Sequence, residues 1–202
     1  MQTLYSVPLS RSYWKCAAQE WKSLRVLALA ALFVALRVVL GSFYIPLPVS
    51  LGTQRVYFTF FVNAFGSYLY GPLVGLAVGG VTDIVSFLLH PTGGFFFGYT
   101  LTSMAGSFLY GLFLYRTRIT ILRLALCKLT VNLVANVLMN GLWDSILAGT
   151  GFWALALAKL PKNLIALPVE VVLMVLFFNL MLPAAERLGW TPRQPKRPIP
   201  FF

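Results

Sequence analysis

Helix-spaced polar residues inside long apolar runs are the chemistry-bearing feature of this chain. Lys128, Asn132, Asn136, Asn140 and Asp144 recur at i+4, which places them along one slowly winding stripe of a helix. Asparagine both donates and accepts hydrogen bonds, so such a stripe can read the edge of a heteroaromatic ring, or can bond neighbouring helices as polar glue. For Asn132 and Asn136 both readings stand. Asn140, with Trp143 and Asp144 beside it, is read as facing a ligand. Lys128, nearer the other end, is expected to snorkel to the membrane surface. Further on, Lys159, Lys162 and Asn163 precede Glu170, which shares a helix face with Asn163 two turns away. These cations and carboxylates can neutralise one another as buried pairs, or can hold an anionic solute together with Arg37 and Arg55. Phe95, Phe96, Phe97 and Tyr99 follow Gly93-Gly94 and can form either a lid that stacks on a flat ligand or an aromatic belt.

The elements that must position these groups are membrane helices. Hydrophobic residues make up 59% of the 202 positions and charged ones 10%. Apolar runs of about 15–25 residues, separated by short breaks, match a hydrocarbon core about 30 Å thick. The expected helices run over 24–40, 56–70, 71–89, 96–115, 121–148 and 160–182. The first break, with Pro46, Pro48 and Gly52, is too long for a tight turn, and His90-Pro91-Thr92-Gly93-Gly94 cannot continue a helix. The fold class expected is therefore all-α: a polytopic membrane protein of six spans. Residues 1–23 form an interfacial cytoplasmic segment without the apolar run of a cleavable signal peptide, 24–182 the transmembrane substrate-binding domain, and 183–202 a basic, Pro-rich cytoplasmic tail expected to be disordered.

Charge sets the orientation. Arg11, Lys15, Lys22 and Arg25 precede the first span, Arg116, Arg118 and Arg123 lie between the fourth and fifth, and Arg187, Arg193, Lys196 and Arg197 close the chain. Six spans bring all three groups to one face, which the positive-inside rule makes cytoplasmic, with both termini inside. Five or seven would scatter them. The formal net charge of +11 thus points to the lipid bilayer and not to nucleic acid. With this orientation Arg37, Arg55, Asp83, Tyr99, Asn140, Trp143, Asp144, Lys159, Lys162, Asn163 and Glu170 all fall in the outer half or near the mid-plane. That distribution describes a pocket open to the outside and closed below.

Other chemistry finds little support. His90 is the single histidine, and there is neither a nucleophile motif nor a zinc-binding HExxH pattern. Cys16 and Cys127 form no metal-ligand spacing. No enzyme activity, cofactor or metal is expected. Small residues repeat at i+4 as Gly71, Gly75 and Gly79, as Ser103, Ser107 and Gly111, and as Ala31 and Ala35. The first two stripes are expected to pack helices together inside the bundle. The third is either internal or an external docking face.

The chain resembles the substrate-binding S components of energy-coupling factor (ECF) transporters, specifically the folate-type branch. The resemblance spans Leu24 to Leu182. It rests on Ala31-Leu32-Phe33-Val34-Ala35-Leu36, on Tyr70-Gly71-Pro72, and on the run from Pro91-Thr92-Gly93-Gly94 through Tyr99-Thr100-Leu101-Thr102. Asn140 with Trp143, Lys162-Asn163-Leu164-Ile165, and Pro168 with Glu170 complete it. It implies a bacterial plasma-membrane protein that captures folate or a related vitamin outside, docks through Ala31 and Ala35 to a transmembrane coupling subunit driven by two ATP-binding subunits, and topples to release substrate inside. The loops after the first, third and fifth helices would cover the ligand. The chain departs from the family pattern at Lys159, where relatives usually carry Arg, and at Phe97, where they often carry Pro. An S component for another anionic vitamin such as pantothenate is the nearest alternative, and a small stand-alone secondary transporter the next.

Overall fold

A computed structural model describes residues 10–49, 52–91, 94–194 and 198–202, with backbone alone at 44–49 and 52–57. A short amphipathic helix α1 (Arg11–Gln19) leads into the apolar α2 (Leu24–Gly41). Ser10 and Ser23 cap the two helices, their Oγ atoms accepting from the N–H groups of Tyr13 and Val26. Between the first two membrane helices, where an irregular segment was expected, the chain makes a two-stranded antiparallel hairpin. Strand β1 (Tyr44–Val49) pairs with β2 (Gly52–Tyr57) in a register that sets Ile45 opposite Val56. The rest of the secondary structure is helical: α3 (Thr59–Leu89), α4 (Phe97–Leu114), α5 (Ile121–Val131), a π-helical stretch (Asn132–Met139), α6 (Asn140–Ala148) and α7 (Phe152–Arg187).

Four of these stretches are long and apolar enough to cross a membrane: Leu24–Gly41, Thr59–Leu89, Ile121–Ala148 and Phe152–Arg187. The second is two arms, 59–70 and 72–89. Gly71 has φ 82° and ψ 177°, a conformation that disfavours any Cβ, and Pro72 supplies no amide hydrogen. The chain reverses there. Ser67 Oγ lies 3.3 Å from where a Cβ on Gly75 would be, so residues on either side of the break face each other. The second arm packs on α4 through the small-residue stripes, with the Cβ position of Gly79 only 2.5 Å from the Ser103 carbonyl oxygen. Any side chain at Gly79 would push the helices apart, so the two glycine and serine stripes are internal packing, as the spacing suggests.

One expected boundary shifts. Helix α7 begins at Phe152, not near Leu160, and carries Pro161, Pro168 and Pro183 inside it. The connection before it is only Gly149–Gly151, closed by Gly149 in the left-handed conformation at φ 65°. The described residues of the tail expected to be disordered are docked. Gln194 donates to Tyr68 Oη and the Thr117 carbonyl and accepts from the Ile119 N–H, while Ile199 N–H donates to Asn179 Oδ1. The carbonyls of Pro200 and Phe201 accept from Ile121 N–H and Leu122 N–H, which satisfies the first turn of α5. At the same end α1 is pinned by the fully buried Tyr13, whose hydroxyl donates to the Gly111 carbonyl, and Glu20 accepts from Tyr115 Oη and Arg116. Burial raises the Tyr13 and Tyr115 hydroxyls above their ordinary pKa, and both are donors in the hydrogen bonds just named.

Candidate substrate site

The opposite end of the bundle gathers the polar residues. A cavity of about 870 Å³ opens between α2, the second arm of α3 and the start of α4. That is within the range that accommodates a vitamin-sized ligand. Arg37, Asp83, Phe95, Phe96, Tyr99 and Ser103 are among its lining residues. Asp83 Oδ2 accepts from Thr100 Oγ1 at 2.7 Å, which fixes the carboxylate. Arg37 is 7% exposed. Its Nη1 donates to Ser107 Oγ at 3.3 Å, and its Nε is buried with no hydrogen-bond partner. Ser107 in turn donates to Asn63 Oδ1 at 2.9 Å, closing the floor. The single histidine, His90, also borders the cavity.

Beyond Tyr99 the polar system continues toward α6 and α7. The Tyr99 hydroxyl donates to Asp144 Oδ1, and Lys159 Nζ pairs with Asp144 Oδ2, each at 2.5 Å. Trp143 Nε1 donates to Thr102 Oγ1 at 3.0 Å, and its indole meets the Phe96 ring edge to face at 5.8 Å. Gly98 makes that approach possible, since a Cβ there would lie 2.6 Å from the Trp143 ring. Asn140 Oδ1 is buried without a hydrogen-bond partner, an acceptor left for a ligand or water.

A second layer lies deeper. Glu170 is eleven residues below Lys159, about 16 Å along the helix. Its Oε1 pairs with Lys128 Nζ at 3.1 Å and its Oε2 accepts from Asn132 Nδ2 at 2.9 Å. Asn136 Nδ2 donates to Asn132 Oδ1 at 3.0 Å and to Asn163 Oδ1 at 3.4 Å, and Asn163 Nδ2 donates to the Lys159 carbonyl at 2.9 Å. Lys128 therefore does not snorkel: it is 3% exposed, held by Glu170 and lying 4.5 Å from the centre of the Phe60 ring. Asn132 and Asn136 act as helix-to-helix glue.

Tyr99, Asp144 and Lys159 thus form one contact group, Trp143 joins it through Phe96, and Asn163 with Glu170 belongs to the deeper ladder. Lys162, half buried beside them, lies within electrostatic reach of Glu170 and Lys159. Arg55 lies on β2, and its side chain is outside the described residues, as are Thr92 and Gly93 of the loop motif. Ala31 and Ala35 face outward from α2, apart from the site. Two lining residues, Arg37 and Asp83, belong to the outward polar set read from the sequence, Arg37 as a possible cation for an anionic solute, but neither was named among the residues that contact substrate. The signal was present, because an ionisable side chain within a membrane span is costly unless it serves a site.

Rings at the mouth, a fixed carboxylate, a buried guanidinium and an open amide acceptor suit non-covalent capture of a flat, polar-edged, anionic molecule. Comparison with known proteins agrees in kind. Two curated relatives named folate transporter FolT are each 28% identical. The one from Clostridium novyi (strain NT) aligns over 75% of this chain and 86% of its own length, and the one from Leuconostoc mesenteroides over 73% and 80%. A crystal structure of FolT bound with folic acid superposes with a TM-score of 0.64 at 28% identity, covering 74% of this chain and 88% of that one. The family described as ECF transporter, substrate-specific component matches residues 25–178, and this membrane protein belongs to that family of transporter subunits.

Proposed function

We propose that this chain is the S component of an ECF-type, ATP-driven importer in a bacterial plasma membrane, and that it captures folate or a close pterin relative from outside. The observation that carries the reading is the cavity that Asp83, Tyr99, Phe96 and Arg37 line at the end of the bundle remote from the basic loops. A pterin presents adjacent N–H donors along one edge, which a fixed carboxylate such as Asp83 can accept as a pair. Phe96 and Tyr99 offer ring faces, with Trp143 behind them. Arg55, Lys159 and Lys162 supply positive charge for the glutamate carboxylates, and Asn140 supplies the unpaired acceptor. Asp144 holds Tyr99 and Lys159 in place, while Asn163 and Glu170 fix the ladder beneath. On docking to a coupling subunit and its two ATPases, the S component would deliver the vitamin inward.

Calorimetric titration of the purified protein with folate, 5-formyl-tetrahydrofolate, riboflavin, thiamine and pantothenate tests the substrate. Folate or its formyl derivative is expected to saturate one site. Asp83→Asn, Asn140→Ala and Lys162→Ala should each weaken binding by roughly 5- to 150-fold, the equivalent of about 1–3 kcal/mol for one lost buried polar partner. Saturation by another vitamin, with no heat from the folates, would replace the substrate and leave the S-component reading in place. No binding by any of the five would remove the folate reading and leave the family membership alone standing.

The topology proposed has six spans and both termini inside, with the Gly71 reversal separating the second from the third. Single cysteines introduced as Gly52→Cys and Gly151→Cys should react with an impermeant maleimide from outside, and Arg118→Cys should not. External labelling at 118 would overturn the span count.

A further inference from the structure

The basic end of the bundle carries a second cavity that the substrate site does not use. It has a volume of about 530 Å³ and lies between the C-terminal end of α4, the first turns of α5 and the end of the docked tail. Phe113, Leu122, Leu126 and Phe202 line it with Arg123 and Thr120. Leu122 and Leu126, one turn apart on α5, are 39% and 49% exposed, so the groove opens along the lipid-facing side of that helix. Its cation, unlike its neighbour, has no ion pair among the described residues. Arg116 is paired with Glu20 at 2.7 Å, whereas Arg123 Nη1 is buried and has no hydrogen-bond partner. Arg118, in the same connection, is exposed.

We propose that this groove is a binding site for an anionic phospholipid of the cytoplasmic leaflet. The phosphate sits on Arg123 with Arg118 nearby, and an acyl chain lies along Leu122, Leu126 and Phe202. Charge complementarity selects this occupant. A basic pocket between helix ends on the cytoplasmic side suits an anionic head group, and an apolar floor at that depth suits hydrocarbon. The docked tail builds one wall, which gives its ordered end a purpose that disorder would not. The assignment rests on the inside placement of the basic loops, and not on which vitamin occupies the other end.

Native mass spectrometry on the full chain, released from micelles supplied with phosphatidylglycerol or phosphatidylcholine of identical acyl chains, tests it. One phosphatidylglycerol should be retained in preference to phosphatidylcholine. Arg123→Gln should lower that retention about fivefold, the equivalent of one basic residue's attraction to an anionic surface. Leu126→Trp should fill the groove and lower retention of both lipids. Vitamin binding measured on the same samples should be unchanged in both variants, which shows that they fold. Equal retention of the two lipids, or wild-type retention by a folded Arg123→Gln protein, overturns the proposal. So does thermal stabilisation by inorganic phosphate equal to that by phosphatidylglycerol, which would make the site one for a free anion.

Discussion

Replacing Glu170 with leucine should cost this protein about 3–5 kcal/mol of stability, the largest loss expected from any single polar substitution in it. The cause is what the carboxylate leaves behind. Lys128 is 3% exposed and has Glu170 Oε1 at 3.1 Å as its counter-charge. Without that partner an ammonium group remains inside an apolar bundle, too deep to reach water. Asn132 also loses the acceptor of its Nδ2 hydrogen bond. A thermal-shift measurement in detergent should show Tm falling by about 6–20 °C, taking 2–4 °C per kcal/mol for a chain of this size. The double variant Lys128→Met, Glu170→Leu removes both charges and should recover most of the loss, because replacing a whole buried pair by apolar groups is often neutral or better. It should also still bind the vitamin, since both Glu170 oxygens are already engaged within the protein. A double variant no more stable than the single one would mean that the pair is not what holds α5 to α7. Loss of vitamin binding in a stable double variant would move Glu170 into direct contact with substrate.

Glu170 also illustrates what could be read from the sequence and what could not. Its depth followed from counting residues at 1.5 Å per step, and so did the depth of Lys128, Asn132 and Asn163. Depth does not say which helix faces meet. Only packing of α5 against α7 reveals that Lys128 finds a carboxylate and does not stretch to the surface. The same gap explains Arg37 and Asp83. Both stand out as ionisable residues in apolar helices, yet the cavity they share exists only once α2, the second arm of α3 and α4 are assembled. The helices themselves were legible because long apolar runs and breaker residues mark them, and Gly71-Pro72 marked the reversal within α3. The hairpin after α2 was obscured by Pro46 and Pro48, which cannot donate to a strand ladder and so read as turn residues. Helix α7 starts at Phe152 and runs on through Pro161, earlier than the reading from about residue 160. The π-helical stretch at Asn132–Met139 has no such local signature. It changes the angular positions of Asn132 and Asn136 in the stretch where they engage α7. The tail was misread from composition alone, because proline-rich basic segments are usually solvated, while here Gln194 and Ile199 supply specific anchors.

Ala31→Trp and Ala35→Trp should abolish vitamin uptake by cells while leaving vitamin binding by the isolated protein within about twofold. On α2, Ala30, Phe33 and Arg37 face the bundle and are buried, whereas Ala31 and Ala35 are exposed. Leu32, Leu36 and Val39 flank them with 59%, 40% and 58% exposure, giving a smooth apolar strip that ends short of the cavity. Both positions are exposed among the described residues, so an indole placed there should leave the fold and the site in place. A partner helix would be held away by several ångströms, and close packing between membrane helices depends on small residues that let the backbones approach. Lipid alone would tolerate the larger side chain, because hydrocarbon adapts to it. The two variants therefore separate a docking face from a face that merely touches lipid. Uptake of labelled folate, co-purification with the proposed coupling subunit and ATPases, and calorimetry on the isolated protein should be measured on the same variants. Normal uptake by both would place the docking face elsewhere. Loss of binding together with uptake would mean that the alanines pack within the bundle, contrary to their exposure. Loss of uptake and co-purification with binding intact is the outcome that the outward strip on α2 requires.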